Sequence, residues 1–106
     1  MKTSQKITFT AKLWIWPGDK ASWYFVSVPQ DIAATLREKY KGTHKGWNSL
    51  PVEVTVGETT WRTSMFYATE SKTYLLPIKF QVRKKEALLA DELLDVAILI
   101  ANQSGA

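Results

Sequence analysis

The sequence predicts one mainly β domain, about six strands with two short helices, and three observations lead to this fold class. Residues 7–16 alternate between apolar and polar, as in a strand with one buried face. Two aromatic-led apolar runs, 24–29 and 74–77, both end in proline, and an amphipathic charged segment and a β-branched run follow each of them. This repetition indicates two copies of a strand–helix–strand unit, 24–56 and 74–100.

Length and composition limit the possible classes. A chain of 106 residues, 45% of them apolar, forms a single domain, 1–106, with a core that needs no covalent cross-link. The absence of cysteine excludes disulfides and thiolate metal sites. No apolar run reaches the roughly 18 residues of a membrane span, and no signal-like stretch follows Met1. We therefore expect a cytoplasmic protein with no membrane partner.

The first two strands form a predicted hairpin. In the run 7–16, one face carries Ile7, Phe9, Ala11, Leu13 and Ile15, and the other carries Trp14 and Trp16. Pro17 and Gly18 open a turn, and residues 23–28 return as the second strand.

A helix is expected after Pro29, which cannot donate to a sheet ladder but suits the first turn of a helix. Ile32, Leu36 and Tyr40 form an apolar stripe, and Gly42 is a plausible end of the helix. The loop that follows, 43–50, carries the only histidine, His44.

The second half is predicted to begin with two strands, 51–56 and 60–67, joined by the three-residue loop 57–59. The segment after Tyr74 is ambiguous, because an alternating pattern runs into a stretch rich in helix-forming residues. The residues alone predict a strand to about Ile78, a helix near 81–90 and a last strand near 94–101. Residues 1–5 and 102–106 are expected to be flexible tails.

Six sequence blocks resemble, in order and spacing, the domain-of-unknown-function family numbered 1905. They are FTAKL (9–13), WYFVSVP (23–29), VEVTV (52–56), WRTSMF (61–66), TYLLPIK (73–79) and VR (82–83). The resemblance implies a double-split β-barrel, a small closed sheet with short helices capping its ends. It also implies a helix over 80–87.

The same fold is shared with the dimeric, DNA-binding transition-state regulators of the AbrB type. Their half-barrel pattern is echoed by Pro77, Arg83, Leu88 and Ala90-Asp91. One chain would then supply both halves of an internal pseudo-twofold, so we expect a monomer. Where the family tends to have Gly-Asp, this chain has Ala90, which tolerates positive φ poorly, so a reshaped turn or a longer helix is expected there. The family has no established activity, and no functional residue is carried over from it.

Catalysis has little support in the sequence. A Cys–His pair is impossible, and a serine triad would depend on His44, which reads better as a solvated loop residue. No ordered set of carboxylates or imidazoles predicts a metal site, and no glycine-rich loop predicts a phosphate-bearing cofactor. We therefore assign no catalytic residue, metal or cofactor; an uncharacterised hydrolase using His44 or Ser64 is the least favoured alternative.

Tryptophan is abundant, with five in 106 residues, and these side chains either fill the barrel or form a binding surface. Exposed indoles near Lys12 would stack on bases or cover an apolar ligand. Arg62 and Ser64 form a polar pair that suits an anionic group, although Arg62 also reads as a solvated cation laid over Phe66. The candidate ligand-binding residues are Trp14, Trp16, Trp23, Trp61, Arg62 and Ser64.

A second candidate surface is basic. The net charge of +4 permits contact with nucleic acid but does not require it, and these cations also read as a solvated face. The candidate nucleic-acid-binding residues are Arg37, Lys41, Lys79, Arg83, Lys84 and Lys85. The sequence thus predicts a non-catalytic module that binds an unknown small ligand or protein, with nucleic-acid binding as the alternative.

Overall fold

The computed structural model describes residues 6–18, 22–40 and 49–100. Over these ranges the chain forms seven strands and two helices, which are named here in chain order. The strands are β1 (Lys6–Lys12), β2 (Trp14–Pro17), β3 (Ser22–Ser27), β4 (Ser49–Val56), β5 (Thr59–Ala68), β6 (Thr73–Pro77) and β7 (Leu93–Ile100). The helices are α1 (Gln30–Lys39), between β3 and β4, and α2 (Phe80–Lys85), between β6 and β7.

The strands form one antiparallel sheet in the order β1-β7-β4-β5-β6-β3-β2. Its two edge strands, β1 and β2, are consecutive in the chain and are separated only by Leu13. The sheet therefore curls until its edges are joined by the polypeptide, as a barrel requires. The prediction of a mainly β, double-split barrel with two short helices is confirmed.

The internal duplication is visible in the hydrogen bonds. Strands β3 and β6 pair about Val26 and Leu76, and two reciprocal bonds continue the pairing. The N–H of Val28 donates to the carbonyl of Tyr74 over 3.0 Å, and the N–H of Ile78 donates to the carbonyl of Tyr24 over 2.9 Å. An offset of 50 residues thus relates the two halves in this region.

The same symmetry extends around the sheet. Strand β5 pairs first with β4 and then with β6, just as the β1–β2 run pairs first with β7 and then with β3. Strands β4 and β7 also pair reciprocally with each other. Because every strand of one half has an equivalent with equivalent neighbours, the predicted pseudo-twofold is present in the topology.

The predicted single strand over 7–16 is wrong, because the run is broken at Leu13. Residues up to Lys12 pair with β7, and residues from Trp14 onward pair with β3. The equivalent strand β5 changes partner at Phe66, which pairs with both β4 and β6, and it is not broken there. The change of partner therefore divides the run into two strands in the first copy only.

Leu13 is fixed at this break by hydrogen bonds to the turn before β7. Its N–H donates to the carbonyl of Glu92 over 2.9 Å, and its carbonyl accepts from the N–H of Asp91 over 2.6 Å. The side chain is fully buried, whereas Ile15, predicted on the same buried face, is 38% exposed. Leu13 thus lies where the run leaves β7 and begins to pair with β3.

The core fills the inside of the curled sheet. Alternate residues of β4 and β7 are buried, which matches strands with one face on the core. The largest fully buried side chains come from both halves of the chain: Tyr74, Leu13, Leu50, Met65, Leu76, Ile78, Ile98, Val26, Val28, Val52, Val54 and Val82.

The helices lie at opposite ends of the sheet, because each follows one of the two antiparallel strands β3 and β6. Helix α1 begins after Pro29 and buries Ala33 and Leu36. Helix α2 buries Val82 and ends at Lys85, so the predicted continuation to Ala87 or Ala90 is wrong. The helix is followed by a turn in which Ala87 adopts a left-handed conformation, with φ of 55°.

Glu86, the residue that ends α2, ties the helix to the β4–β5 turn. Its Oε2 accepts hydrogen bonds from the Thr59 hydroxyl (2.6 Å) and the Glu58 N–H (3.1 Å). The turn contains two residues, Gly57 and Glu58, rather than the predicted three. Gly57 has φ of 61°, a conformation that favours glycine, and a Cβ there would lie 2.1 Å from Glu86 Oε1, so the Glu86 carboxylate would have to move.

The turn before β7 is also reshaped. Positive φ falls on Asp91 (72°) and not on Ala90, and aspartate tolerates this conformation better than alanine. Strand β7 begins at Leu93, one residue earlier than predicted. The predicted tails and Ala101 lie outside the described residues.

Candidate functional site

Four aromatic side chains lie together on the outer face of the β2–β3 hairpin. Trp14 is directly opposite Phe25, and Trp16 is directly opposite Trp23. The ring centroids of Trp14 lie 5.3 Å from Phe25 and 6.4 Å from Trp16. We call Trp14, Trp16, Trp23 and Phe25 the aromatic surface.

The members of the aromatic surface differ in exposure. Trp14 is half-buried, and its Nε1 donates to the Ser27 hydroxyl over 3.0 Å, which fixes the ring. Trp16 and Trp23 are 52% and 60% exposed. Together with Phe25 they line an open groove of about 370 Å³. An anchored indole thus supports two indoles that face solvent.

Apolar residues continue across the outer face of the neighbouring strands. Phe25 lies opposite Pro77 of β6, and Leu75 of β6 lies opposite Phe66 of β5. Phe66 is 44% exposed. The aromatic surface is therefore the most aromatic part of a wider apolar strip.

The structure divides the six predicted ligand-binding residues. Trp14, Trp16 and Trp23 form the aromatic surface, whereas Trp61 lies in the core and is only 9% exposed. Arg62 and Ser64 point outward from β5, where they lie opposite Glu53 and Pro51.

Phe25 belongs to the surface but was missing from the sequence prediction. The signal for it was present, since Trp23 and Phe25 are two apart in a strand and share a face. Its burial is intermediate, which distinguishes it from the fully buried Val26 beside it.

The predicted basic residues also separate. The Arg37 guanidinium lies 3.8 Å from the centre of the Tyr67 ring, and the Arg83 guanidinium lies 3.6 Å from that of Tyr24. Since α1 and α2 lie at opposite ends of the sheet, these two arginines do so as well. Lys79, Lys84 and Lys85 are exposed beside Arg83, and Lys41 lies outside the described residues.

One tyrosine carries a perturbed acidity. Burial raises the pKa of Tyr74 above its ordinary value of 10.0, and the nearby Arg37 guanidinium offsets part of this rise. Tyr74 is fully buried, with its ring edge-on to that of Tyr67 at 5.3 Å. Tyr74, Tyr67 and Arg37 thus form a packed cluster at one end of the barrel.

A groove of about 620 Å³ lies on the other side of the barrel. It is lined by Thr8, Thr10, Thr55 and Asp95 and by the apolar residues Phe9, Val96 and Ala97, and the Thr10 hydroxyl donates to Asp95 over 2.7 Å. Its lining is mixed and contains no tryptophan, unlike that of the aromatic surface.

Metal-ligating side chains are not grouped within residues 6–18, 22–40 and 49–100. No group of three His, Cys, Asp or Glu side chains in these ranges is placed to hold a metal ion. His44 lies outside them. Neither helix of the described chain is long and apolar enough to cross a membrane.

Comparison with known proteins gives a family but no activity. A search of curated proteins finds no match. The model of the family described as "Domain of unknown function (DUF1905)" matches residues 9–98, which include all seven strands in whole or in part. The chain therefore belongs to the DUF1905 family.

Proposed function

We propose that this protein is a non-catalytic binding module whose recognition surface is the aromatic surface. It takes a flat apolar or aromatic group of a small ligand or of a partner protein against Trp16 and Trp23. The absence of cysteine supports a reducing compartment such as the cytoplasm as the place of binding.

The observation that carries this proposal is the difference between the two copies of the fold. The 50-residue offset relates Trp23 to Thr73, which is only 3% exposed. The equivalent registers of the β2–β3 and β5–β6 pairs relate Trp16 to Ala68. The second copy thus forms the same backbone with Ala68 and Thr73 at these two positions. The fold itself therefore does not require tryptophan at positions 16 and 23.

The exposure of these indoles also favours binding. Trp and Tyr are enriched where proteins bind partners, because a large rigid ring contributes contact area at a low cost in conformational entropy. A contiguous apolar surface on a monomer commonly marks such a place. Trp14, held by Ser27, supplies a firm base under the exposed pair.

The proposal is tested by NMR with the ¹⁵N-labelled full chain. Five tryptophans give five indole N–H signals, which single Trp→Phe variants assign. A library of bicyclic aromatic fragments is then added to the protein. We expect fragments that shift the Trp16 and Trp23 signals and leave the signal of the buried Trp61 unchanged.

The matched control is the variant Trp23→Thr, which copies the residue of the second half of the fold. It is expected to keep the dispersed spectrum of the folded protein and to lose the response to fragments. If no fragment shifts the signals of Trp16 or Trp23, or if the variant responds like the wild type, the proposed surface is wrong.

A further inference from the structure

We propose, resting on the proposed function, that the ligand of the aromatic surface is single-stranded nucleic acid. The structure places the exposed indoles of Trp16 and Trp23 at the same end of the sheet as the basic helix α2. Bases would stack on the aromatic rings while the lysines of α2 neutralise the phosphates between them.

The backbone brings these two features together. Pro77 lies opposite Phe25, and the next residue, Ile78, donates its N–H to the carbonyl of Tyr24. The chain therefore enters α2 beside Tyr24, the immediate neighbour of Trp23. Phe80, the first residue of α2, is 59% exposed and adds a third aromatic ring at this end.

Arg83 fixes the helix in this position. Its guanidinium lies over the Tyr24 ring, and its Nε donates to the carbonyl of Ile78 over 3.1 Å. The same guanidinium lies 5.4 Å from the centre of the Phe80 ring. The basic helix is thus packed against the strand that carries Trp23, on the face opposite the indoles, because neighbouring residues of a strand point to opposite faces.

The charge of this end suits a polyanion. Strands β2, β3 and β6 and helix α2 contain no aspartate or glutamate. Lys79 precedes the helix, and Lys84 and Lys85 follow Arg83 in its last turn; all three lysines are exposed. Cations at the same end of a sheet as exposed aromatic rings suit a single strand, whose bases are free to stack.

The opposite end of the barrel lacks this combination. Ala68 and the buried Thr73 replace the exposed indoles. Helix α1 mixes acidic with basic residues. Among the described residues, exposed indoles and a helix whose charged side chains are all basic therefore occur together at the end that carries α2.

The test is fluorescence anisotropy of the full chain with fluorescein-labelled dT12 and rU12. Three neutralised phosphates predict that affinity falls roughly 20-fold between 50 and 200 mM salt. The double variant Trp16→Ala/Trp23→Ala is expected to weaken binding by about 30-fold or more, because two stacked bases lose their platforms. Trp16→Phe/Trp23→Phe keeps a ring at both positions and is expected to restore most of the affinity.

A charge-matched pair of variants separates the basic helix from net charge. Lys79→Gln/Lys84→Gln is expected to make the salt dependence shallower. Lys6→Gln/Lys72→Asn removes the same charge from exposed positions away from α2, with asparagine chosen because Lys72 has φ of 55°. This control is expected to bind like the wild type.

Several results would overturn the inference. Duplex DNA binding as tightly as dT12 would contradict stacking, and polyglutamate competing as well as dT12 would indicate an acidic peptide. If both lysine double variants weakened oligonucleotide binding equally, binding would depend on the net charge of the protein and not on helix α2. If neither oligonucleotide binds while aromatic fragments still shift the signals of Trp16 and Trp23, this inference fails and the proposed function stands. Tighter binding of dT12 would identify the ligand as single-stranded DNA, and tighter binding of rU12 would identify it as single-stranded RNA.

Discussion

Left-handed backbone conformations occur on both sides of the turn that follows α2. Ala87 has φ of 55° and Asp91 has φ of 72°. Aspartate is among the residues that tolerate this region, but alanine is not, because its Cβ crowds the following carbonyl. Ala87 is thus a position where the sequence and the backbone disagree.

Replacing Ala87 with glycine is expected to stabilise the protein by about 0.5–1 kcal/mol. The strain of a left-handed alanine is roughly 1–2 kcal/mol, and the added entropy of glycine in the unfolded chain offsets part of the gain. Urea unfolding followed by far-UV circular dichroism measures the change.

Ala90→Gly is the matched control, since Ala90 lies three residues away and is not in the left-handed region. It is expected to lower stability by about 0.5–1 kcal/mol through the unfolded chain alone. If the two variants change stability in the same direction, the assigned conformation of Ala87 is contradicted.

Tyr74 predicts a pH dependence above its ordinary pKa. Since burial raises the pKa in the folded state, unfolded chains lose this proton first as pH rises past 10.0. The contribution to stability is fully present below pH 10 and is lost as pH rises towards the folded pKa. Urea unfolding at pH 9 to 11 is expected to show this decline, and Tyr74→Phe to reduce it.

The position of Arg37 provides a second measurement on the same tyrosine. Its guanidinium lowers the pKa of Tyr74, so Arg37→Met is expected to move the ionisation to still higher pH. Absorbance at the tyrosinate wavelength follows it. An ionisation of Tyr74 at or below its ordinary pKa in the folded wild type would contradict the burial.

At the scale of elements, Arg83 is expected to hold α2 on the sheet. The variant Arg83→Ala loses the contact with Tyr24 and the hydrogen bond to Ile78, and we expect it to lower stability by about 1–2 kcal/mol. Lys84→Ala, next along the chain and exposed, is expected to stay within about 0.5 kcal/mol. Equal losses in the two variants would show that α2 is not held by Arg83.

Local sequence predicted the elements that obey local rules. Helix α1 follows Pro29 with an apolar stripe, and the runs of β4 and β5 alternate as strands do, so their places were predicted to within about two residues. The early end of α2 was not predicted, because Glu86 bonds to the distant residues Glu58 and Thr59. Helix propensity carries no information about such a contact.

The candidate site was likewise predictable where it depends on local patterns and not where it depends on distant contacts. Alternation placed Trp14 and Trp16 on one face, and the hairpin prediction brought Trp23 near them. The local sequence did not show that Trp61 faces the core, because both faces of its strand carry large apolar residues. The break at Leu13 depends on where the run changes its partner strand from β7 to β3, and this requires the pairing register.

For the whole molecule, the order of the strands predicts cooperative unfolding. Strands of the two halves alternate in part of the sheet, with β7 beside β4 and β6 beside β3. Neither half therefore forms a continuous sheet without strands of the other half, so we expect a single two-state transition. Far-UV circular dichroism and tryptophan fluorescence should give the same urea midpoint, whereas two separated midpoints would contradict a shared core.

A pair of identical subunits must repeat every feature that each of them carries. Here the two copies are joined in one polypeptide and have diverged, so Trp23 has no counterpart at Thr73. Joining two copies in one polypeptide thus allows the two ends of the barrel to carry different side chains. Any complex formed at the tryptophans should accordingly contain one occupant per chain.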